Sequence, residues 1–330
     1  MFTGVNIESS ATCNLRCAMC PTRCYPSHTR NGYMDTKTFV LSRPSLDDLP
    51  DGIDLTGWGE PLMNPYLPAF IESVEGVTFT TNGLLLNNRA ARMVVLNKVG
   101  AVAISIDAAS EDTFDKLHPP GDFGTVWRNI EGLSKLRERE KSPYPTISAH
   151  FLLMKSNVRE LSDFVQMAAD VGADEVVVKH VALFCRPGYE NEVLYTGFFE
   201  HVRPDEDLRD ESVKKAVEKA RAAGIPFRKI GVDHAEPVAG CFGGAITRPF
   251  VAVDGYVSPC CVLAHEAPRL KRDGTTGPAS MLFFGNIHEN TLEEIWKLPE
   301  YVEFRSALKR GDPPPQCRNC LGHWSVTLDI

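Results

Sequence analysis

Short runs of β-branched and apolar residues alternate with amphipathic stretches over the first two-thirds of the chain. The apolar runs predict six strands, at residues 4–8, 53–56, 77–80, 102–106, 146–152 and 175–179. Between them, apolar residues recur at three-to-four spacing and predict helices at residues 66–73, 88–98, 123–141 and 159–171. Asn157 stands where it can cap the last of these helices. Six such βα units predict an α/β fold, a parallel sheet curled into a partial, TIM-like (β/α)6 barrel.

The pattern changes after a further predicted helix at residues 210–223 and a strand-like stretch at residues 226–230. From about Asp233 onward glycines are scattered, and Asp254-Gly255 marks the turn of a predicted hairpin. The last five cysteines also fall in this part of the chain. We therefore predict two domains, a barrel over residues 1–232 and a smaller C-terminal domain over residues 233–330.

Composition narrows the class of protein. Of 330 residues, 43% are hydrophobic and 24% are charged, as in ordinary globular proteins. The net charge of −8 argues against nucleic acid as a partner, because phosphate backbones bind cationic surfaces. No apolar run is long enough to cross a membrane and the first residues carry no export signal, so we expect a cytoplasmic protein. In that reducing compartment, ten cysteines indicate metal binding or catalysis rather than disulfides.

Unusual sequences follow the first four predicted strands. In chain order they are Cys13-x-x-x-Cys17-x-x-Cys20, Gly57-Trp58-Gly59-Glu60, Thr81-Asn82-Gly83 and Ser105-Ile106-Asp107. The carboxyl ends of parallel barrel strands meet on one rim, where the chemistry of such folds is concentrated. Each motif alone is a weak signal, but four on one rim predict a single functional site.

The first motif raises the question of its fourth ligand. A closed zinc site or a closed four-iron cluster needs four protein ligands, and the loop supplies three thiols. Cys24 or a histidine closing a zinc knuckle is one interpretation. Zinc sites favour two paired C-x₂₋₄-C halves, and the loop does not show a second pair. The other interpretation is therefore a metal site in which one ligand position is left open.

Together the four motifs resemble those of the radical S-adenosylmethionine (SAM) superfamily. The resemblance implies that Cys13, Cys17 and Cys20 bind three irons of a 4Fe–4S cluster and that SAM chelates the fourth iron. It further implies that the reduced cluster cleaves SAM to a 5′-deoxyadenosyl radical. The cysteine loop is then open because its last ligand arrives with the cosubstrate.

The resemblance also assigns SAM contacts to the other motifs. Gly57, Trp58, Gly59 and Glu60 are implied to receive the SAM amino group through the backbone, with Glu60 assisting. The implied contacts to the ribose and the carboxylate come from Thr81, Asn82, Ser105 and Asp107.

Relatives often carry an arginine at the position of His118. His118 either binds the SAM carboxylate, when protonated or hydrogen-bonded, or is a solvated loop residue. Lys155 and Lys179, near the ends of strands five and six, are alternative cations, and their other interpretation is that of surface lysines.

The C-terminal cysteines resemble the SPASM/twitch extension of that superfamily. The resemblance implies one auxiliary 4Fe–4S cluster; its predicted ligands are Cys241, Cys260, Cys317 and Cys320. A zinc ribbon is the alternative for this set. Neighbouring side chains in an extended backbone point to opposite faces, so Cys261 should face away from the cluster of Cys260, toward the active site. Cys261 and Cys185, which follows strand six, are therefore the candidate catalytic hydrogen donors.

The predicted function is that of a radical SAM enzyme that abstracts a hydrogen atom from a small molecule, leading to dehydrogenation or epimerisation. The alternative within enzymes is a maturase that modifies a partner protein, a peptide or its pterin or tungsten cofactor. Outside enzymes, the alternative is a zinc- or cluster-bound structural or regulatory protein. The expected partners are the substrate and a flavodoxin- or ferredoxin-type reductant, with no nucleic acid and no membrane.

Overall fold

One long sheet organises the computed structural model. The structure describes all residues except 25–29, 45–48, 182–186, 196–198, 200–201, 233–240, 242–243, 268, 271–273, 278–280, 319, 321–324 and 330. Seven neighbouring strands of the sheet are parallel and follow chain order: β1 Val5–Ile7, β2 Ile53–Asp54, β3 Thr78–Thr81, β4 Ala101–Ser105, β5 Thr146–Leu153, β6 Glu175–His180 and β7 Phe227–Val232. The predicted fold class is confirmed, and β7 adds one parallel strand to the six predicted βα units.

The C-terminal strands continue this sheet at both edges. They are β8 Phe250–Val251, β9 Tyr256–Ser258, β12 Gly285–Asn286 and β13 Ser325–Asp329, while β10 Arg269–Leu270 and β11 Thr276–Gly277 form a separate pair. β8 pairs in parallel with β1, with Ile7 opposite Val251, and β13 pairs antiparallel with β7. The segment from β8 to β12 therefore lies beside the strand that leads into the first cysteine motif. The boundary between residues 232 and 233 stays a prediction.

Helices cover the outer face of the sheet. They are α1 Pro21–Cys24, α2 Thr36–Ser42, α3 Leu67–Ser73, α4 Asn88–Leu96, α5 Glu111–Leu117, α6 Phe123–Arg139, α7 Leu161–Asp170, α8 Glu206–Ala223, α9 Leu292–Trp296 and α10 Pro299–Arg310. The helices predicted between the strands correspond to α3, α4, α6 and α7. Helix α8 corresponds to the helix predicted at residues 210–223. Helices α1, α2, α5, α9 and α10 lie where no helix was predicted, and α2 and α5 are capped by the acceptor side chains of Asp35 and Ser110. None of the described helices is long and apolar enough to cross a membrane.

The hydrophobic core lies between the sheet and these helices. Phe151 of β5 packs edge-to-face on Phe164 of α7, with ring centroids 4.9 Å apart, and both are fully buried. Along β4, Val102 and Ile104 are fully buried while Ala103 and Ser105 are half-buried. The half-buried positions face the interior of the barrel, called the lumen below, and polar side chains such as Ser105, His150 and Lys179 stand at positions of this kind.

Asn157 does not cap α7, contrary to the prediction. A short 3-10 turn, Val158–Glu160, precedes the helix, and the Asn157 side chain makes no cap hydrogen bond. Its amide instead donates to the Asp107 carbonyl at 2.9 Å and accepts from the Met154 N–H at 2.8 Å. The Asn157 side chain is used to satisfy the Asp107 carbonyl after β4 and is therefore not available to cap the helix.

Candidate active site

The cysteine loop, residues 13–20, is anchored to the segment that follows α5. The Ala18 N–H donates to the Leu117 carbonyl at 2.8 Å, and the Arg16 N–H donates to the Pro119 carbonyl at 2.7 Å. This attachment holds the loop over the carboxyl ends of β1 and β4. The loop lines an open cavity of about 1000 Å³, together with Arg23 and Arg30.

Each thiol of the cysteine loop has a hydrogen-bonding neighbour. Cys13 Sγ accepts from the Leu15 N–H at 3.4 Å and from Asn82 Nδ2 at 3.8 Å. Cys17 Sγ lies 3.1 Å from His118 Nδ1, and Cys20 Sγ lies 3.0 Å from the hydroxyl of Thr22. Hydrogen bonds to sulfur are among the contacts that set the reduction potential of an iron–sulfur cluster.

Burial raises the pKa of Cys13 and, more strongly, that of Cys17, and the neighbouring thiols raise both further. Three thiolates this close are unstable without a positive charge, which bound iron supplies. Among the described residues, no three His, Cys, Asp or Glu side chains are grouped as the ligands of a single metal ion. The thiolates of a cluster bind separate irons, so this donor set fits a cluster held by three cysteines.

Glu60 is turned into the protein rather than toward the cavity. Its carboxylate is 2% exposed and accepts from the Thr81 hydroxyl at 2.7 Å, the Asn82 N–H at 2.7 Å and the Leu62 N–H at 3.0 Å. Burial nevertheless raises the pKa of Glu60. The side chain therefore joins the second and third motifs.

The glycines of the second motif permit a close approach of two backbones. The glycine loop, residues 57–60, lies against residues 8–12, and the Gly59 N–H donates to the Ser10 carbonyl at 2.9 Å. A Cβ at Gly57 would overlap Glu8 Cγ and lie 2.8 Å from Glu8 Oε1, and a Cβ at Gly59 would overlap the Thr12 backbone. Larger residues at these positions would push the glycine loop away from the cysteine loop.

The third motif reaches the same place. Asn82 Nδ2 donates to Asn14 Oδ1 at 2.8 Å, inside the cysteine loop, and Thr81 is buried behind it. Ser105 ends β4 half-buried, opposite His150 in register, and faces the lumen. The structure thus brings three of the four motifs into direct contact, and their SAM contacts stay predictions.

His118 is buried, 3% exposed, so its interpretation as a solvated loop residue is wrong. Its Nδ1 faces Cys17, and its Nε2 stands 3.0 Å from Asp107 Oδ2, without hydrogen-bond alignment. Asp107 adopts a positive φ of 62°, rare for a residue with a side chain. Asn157 and the Leu152 N–H, which donates to Asp107 Oδ1 at 2.6 Å, hold it there. His118 therefore connects the fourth motif to the cysteine loop.

The two alternative cations differ in position. Lys155 is exposed, in agreement with a surface lysine. Lys179 is partly buried on the lumen side of β6, and burial lowers its pKa although the carboxylates of Asp54, Asp107 and Glu175 oppose the shift. Lys179 makes no hydrogen bond or ion pair with any described residue.

The C-terminal thiols gather at a second place. Cys260 has Cys241 and Cys320 as electrostatic neighbours, and a turn closed by the Cys320 N–H and the Cys317 carbonyl, 2.9 Å apart, brings Cys317 beside Cys320. Burial raises the pKa of Cys260 well above its ordinary value. The predicted ligands of the auxiliary cluster are therefore neighbours, and their ligation stays a prediction.

Cys261 faces the barrel. Its thiol is hydrogen-bonded to the Trp58 side chain, and burial with the nearby Glu8 carboxylate raises its pKa to about 11. Cys24 is disulfide-bonded, so the expectation that the cysteines form no disulfides is wrong at this position, whereas Cys13, Cys17 and Cys20 are free thiols. Cys185, the other candidate hydrogen donor, lies outside the described residues.

Two residues of the site escaped the sequence analysis. Glu8 and His265 are both completely buried, and His265 Nε2 lies 2.9 Å from Glu8 Oε1. The only sequence signal is a carboxylate directly after a strand whose Val5 and Ile7 are fully buried, where a partner must be supplied from elsewhere.

A partial parallel barrel with one thiol set on its rim and a second set beside it defines an iron–sulfur enzyme. Two family models match the chain: the radical SAM superfamily over residues 7–168 and the SPASM iron–sulfur cluster-binding domain over residues 241–321. The chain belongs to the radical SAM superfamily and carries a SPASM domain. Its cofactors are a 4Fe–4S cluster with SAM in the barrel and auxiliary iron–sulfur ligation in the C-terminal domain.

Relatives match over most of the chain. The tungsten-containing aldehyde ferredoxin oxidoreductase cofactor-modifying protein of Pyrococcus furiosus is 24% identical over 324 residues, covering 95% of this chain and 86% of the relative. A probable GTP 3′,8-cyclase of Methanocaldococcus jannaschii is 25% identical over 272 residues, covering 78% and 84%. Among solved structures, Streptococcus suis SuiB bound to S-adenosylmethionine has a TM-score of 0.68 at 17% identity, covering 93% of this chain and 68% of that chain. The structural likeness shows the fold.

Proposed function

We propose that this enzyme is a maturase, which uses radical SAM chemistry to modify a pterin-type metal cofactor. The sequence analysis placed dehydrogenation or epimerisation of a small molecule first and maturation second. The order is reversed here because the Pyrococcus furiosus cofactor-modifying protein is similar over both domains, not over the barrel alone. The cyclases named for GTP as substrate also point to a fused heterocycle.

In this proposal Cys13, Cys17 and Cys20 hold the cluster, and the backbone of the glycine loop receives the SAM amino group. When bound, the reduced cluster and SAM would supply a 5′-deoxyadenosyl radical able to abstract a hydrogen atom from a substrate C–H bond. The chain's own task is to place that C–H bond in the lumen and to exclude other hydrogen donors.

The observation that carries the proposal is the division of Cys260 and Cys261. Cys260 lies among the C-terminal thiols, while Cys261 is hydrogen-bonded to the Trp58 side chain and has Glu8 of the barrel and Cys320 of the C-terminal thiols as electrostatic neighbours. One peptide unit thus joins the predicted auxiliary cluster to the barrel rim. A substrate in the lumen would lie within reach of both metal sites.

Two polar side chains of the lumen could bind a heteroatom-rich substrate. The Lys179 ammonium is partly buried and makes no hydrogen bond to a described residue, although Asp54, Asp107 and Glu175 are its electrostatic neighbours, so a substrate acceptor would satisfy its N–H groups. His150 nearby is held neutral, since burial and the charges of Lys179 and Arg228 lower its pKa well below 6.5. Lys179 would bind a phosphate or carboxylate and His150 a heteroatom of the ring.

The test compares three substrate classes under anaerobic conditions with SAM and dithionite. An extracted tungsten–pterin cofactor, GTP and an aminocyclitol are each assayed for 5′-deoxyadenosine above the substrate-free background. The proposal expects stimulation, with conversion of the substrate, by the pterin cofactor alone. Stimulation by the aminocyclitol alone would contradict it, and cyclisation of GTP would assign a cyclase activity instead.

A second candidate function is epimerisation, favoured by the Cys261 thiol. Its raised pKa keeps it protonated at neutral pH, as a hydrogen donor must be. A substrate radical would take the Cys261 hydrogen atom, leaving a thiyl radical that one electron from a ferredoxin-type reductant and one solvent proton restore. Cys261→Ala assayed in deuterated water tests this: wild-type turnover without deuterium in the product would eliminate the role.

A further inference from the structure

The Glu8 carboxylate lies at the end of β1, five positions before the cysteine loop begins, and is completely buried. A buried carboxylate needs donors, and three surround it. Glu8 Oε1 accepts from the Trp58 N–H at 3.0 Å and from His265 Nε2 at 2.9 Å, and Oε2 accepts from the Val253 N–H at 3.4 Å. One donor therefore comes from the glycine loop and two from the C-terminal domain.

His265 has a fixed ring orientation. The Arg30 N–H donates to His265 Nδ1 at 3.2 Å, so the ring proton resides on Nε2 and is donated to Glu8. The imidazole also stacks on the Trp58 indole, with centroids 4.2 Å apart and planes inclined by 12°. His265 is fully buried in this position. One side chain thus contacts both the carboxylate that binds the Trp58 backbone and the ring of Trp58.

A second contact from the same segment holds the other end of the indole. Cys261, four positions before His265, is hydrogen-bonded to the Trp58 side chain. Glu8 meanwhile lies so close to Gly57 that no side chain fits between them. Trp58 is held at its backbone N–H by Glu8, at its ring face by His265 and at its side chain by Cys261. These three contacts restrict the orientation of the Trp58 residue and therefore of the glycine-loop backbone.

We infer that His265 is a positioning residue for SAM: through Glu8 and Trp58 it fixes the backbone of the glycine loop, and so couples the C-terminal domain to SAM affinity. The inference rests on the SAM-binding role proposed for residues 57–60, and it holds for any substrate. This role differs from that of a simple domain contact because it requires a hydrogen-bond donor at the position of His265 Nε2, directed at Glu8. Residues that support a ligand-binding group from behind typically contribute about ten- to a hundredfold to affinity or activity.

Two amide substitutions of His265 distinguish the effect of its hydrogen-bond donor from the effect of its side-chain volume. In His265→Gln the amide nitrogen takes the place of Nε2 and still donates to Glu8, whereas His265→Asn reaches only the place of Nδ1 and leaves Glu8 without that donor. His288→Asn is the matched control, since His288 is an exposed histidine of the same C-terminal segment that contacts the barrel at Thr38, 3.3 Å away.

SAM affinity is measured on reconstituted protein from the change in the reduced-cluster EPR spectrum during titration, alongside iron content. We expect His265→Asn to raise the SAM dissociation constant about tenfold or more, with wild-type iron, and His265→Gln and His288→Asn to stay within about threefold. Equal affinity in the Asn and Gln variants would overturn the inference. Loss of iron in His265→Asn would also overturn it, because the residue would then serve assembly. A wild-type protein that binds no SAM would instead refute the proposed function.

Discussion

Gly57→Ala should disrupt the glycine loop, and its cost follows from the surroundings of that position. The added methyl would overlap Glu8 Cγ and lie 2.8 Å from both Glu8 Oε1 and the Ser10 carbonyl oxygen. Glu8 cannot retreat, because it is completely buried and bound by Trp58, Val253 and His265. Overpacking a close-packed site costs about 1–3 kcal/mol, and breaking a hydrogen bond to the displaced charge adds about 1.5–3 kcal/mol.

The expected loss in free energy of unfolding is therefore about 2.5–6 kcal/mol for Gly57→Ala, the sum of these two ranges. Gly132→Ala is the matched control, since a Cβ there meets only Asn88 Oδ1 at 3.9 Å, inside helix α6. Alanine in a helix interior is favoured over glycine by about 0.5–1 kcal/mol, so that variant should be as stable as the wild type or more so. Urea denaturation of the two variants under anaerobic conditions measures the contrast. A Gly57→Ala protein with wild-type stability and wild-type SAM affinity would refute the reasoning.

Two further predictions concern residues away from the glycine loop. Cys24→Ala should keep wild-type iron content and SAM cleavage, because Cys24 is disulfide-bonded and stands outside the three-thiol loop; loss of the SAM-binding cluster would show a protein ligand in the fourth position. Burial lowers the pKa of His150 in the folded state well below 6.5. Below pH 6.5 the unfolded chain therefore binds a proton at this residue that the folded protein does not bind. The resulting contribution to the free energy of unfolding is present above pH 6.5 and is lost below it by up to about 1.4 kcal/mol per pH unit. His150→Gln should remove this part of the slope in denaturation curves between pH 7.5 and 5.5, and an unchanged slope would contradict the assignment.

The strands and the cysteine loop were predictable because their signals are local. Alternating apolar runs identify β4 and β5, and the spacing of Cys13, Cys17 and Cys20 lies within one loop. The helices α2 and α5 were missed because each buries too few apolar side chains for a period to stand out, Phe39 in α2 and Phe114 and Leu117 in α5. Helix α3, of the same length, buries Leu67, Phe70 and Ile71 at three-to-four spacing.

The features that the sequence analysis predicted wrongly or missed depend on contacts between residues far apart in the chain. Asn157 looks like a helix cap, yet its side chain is taken by the Asp107 carbonyl, 50 positions away. The pair of Glu8 and His265 is separated by 257 positions, and neither residue belongs to a periodic pattern. His118 looked like a loop residue because its partners, Cys17 and Asp107, come from two other segments. Such pairings appear only when the barrel brings its strand ends together.

The central claim is that the protein cleaves SAM at a cluster held by the three thiols of the cysteine loop. The most direct measurement is the formation of 5′-deoxyadenosine from SAM by anaerobically reconstituted, dithionite-reduced protein, quantified by liquid chromatography and mass spectrometry. The account predicts 5′-deoxyadenosine from the wild type and none from the Cys13→Ala, Cys17→Ala, Cys20→Ala triple variant, which keeps the iron of the C-terminal site. Equal product from both proteins, or none from a wild type with full iron content, would contradict it.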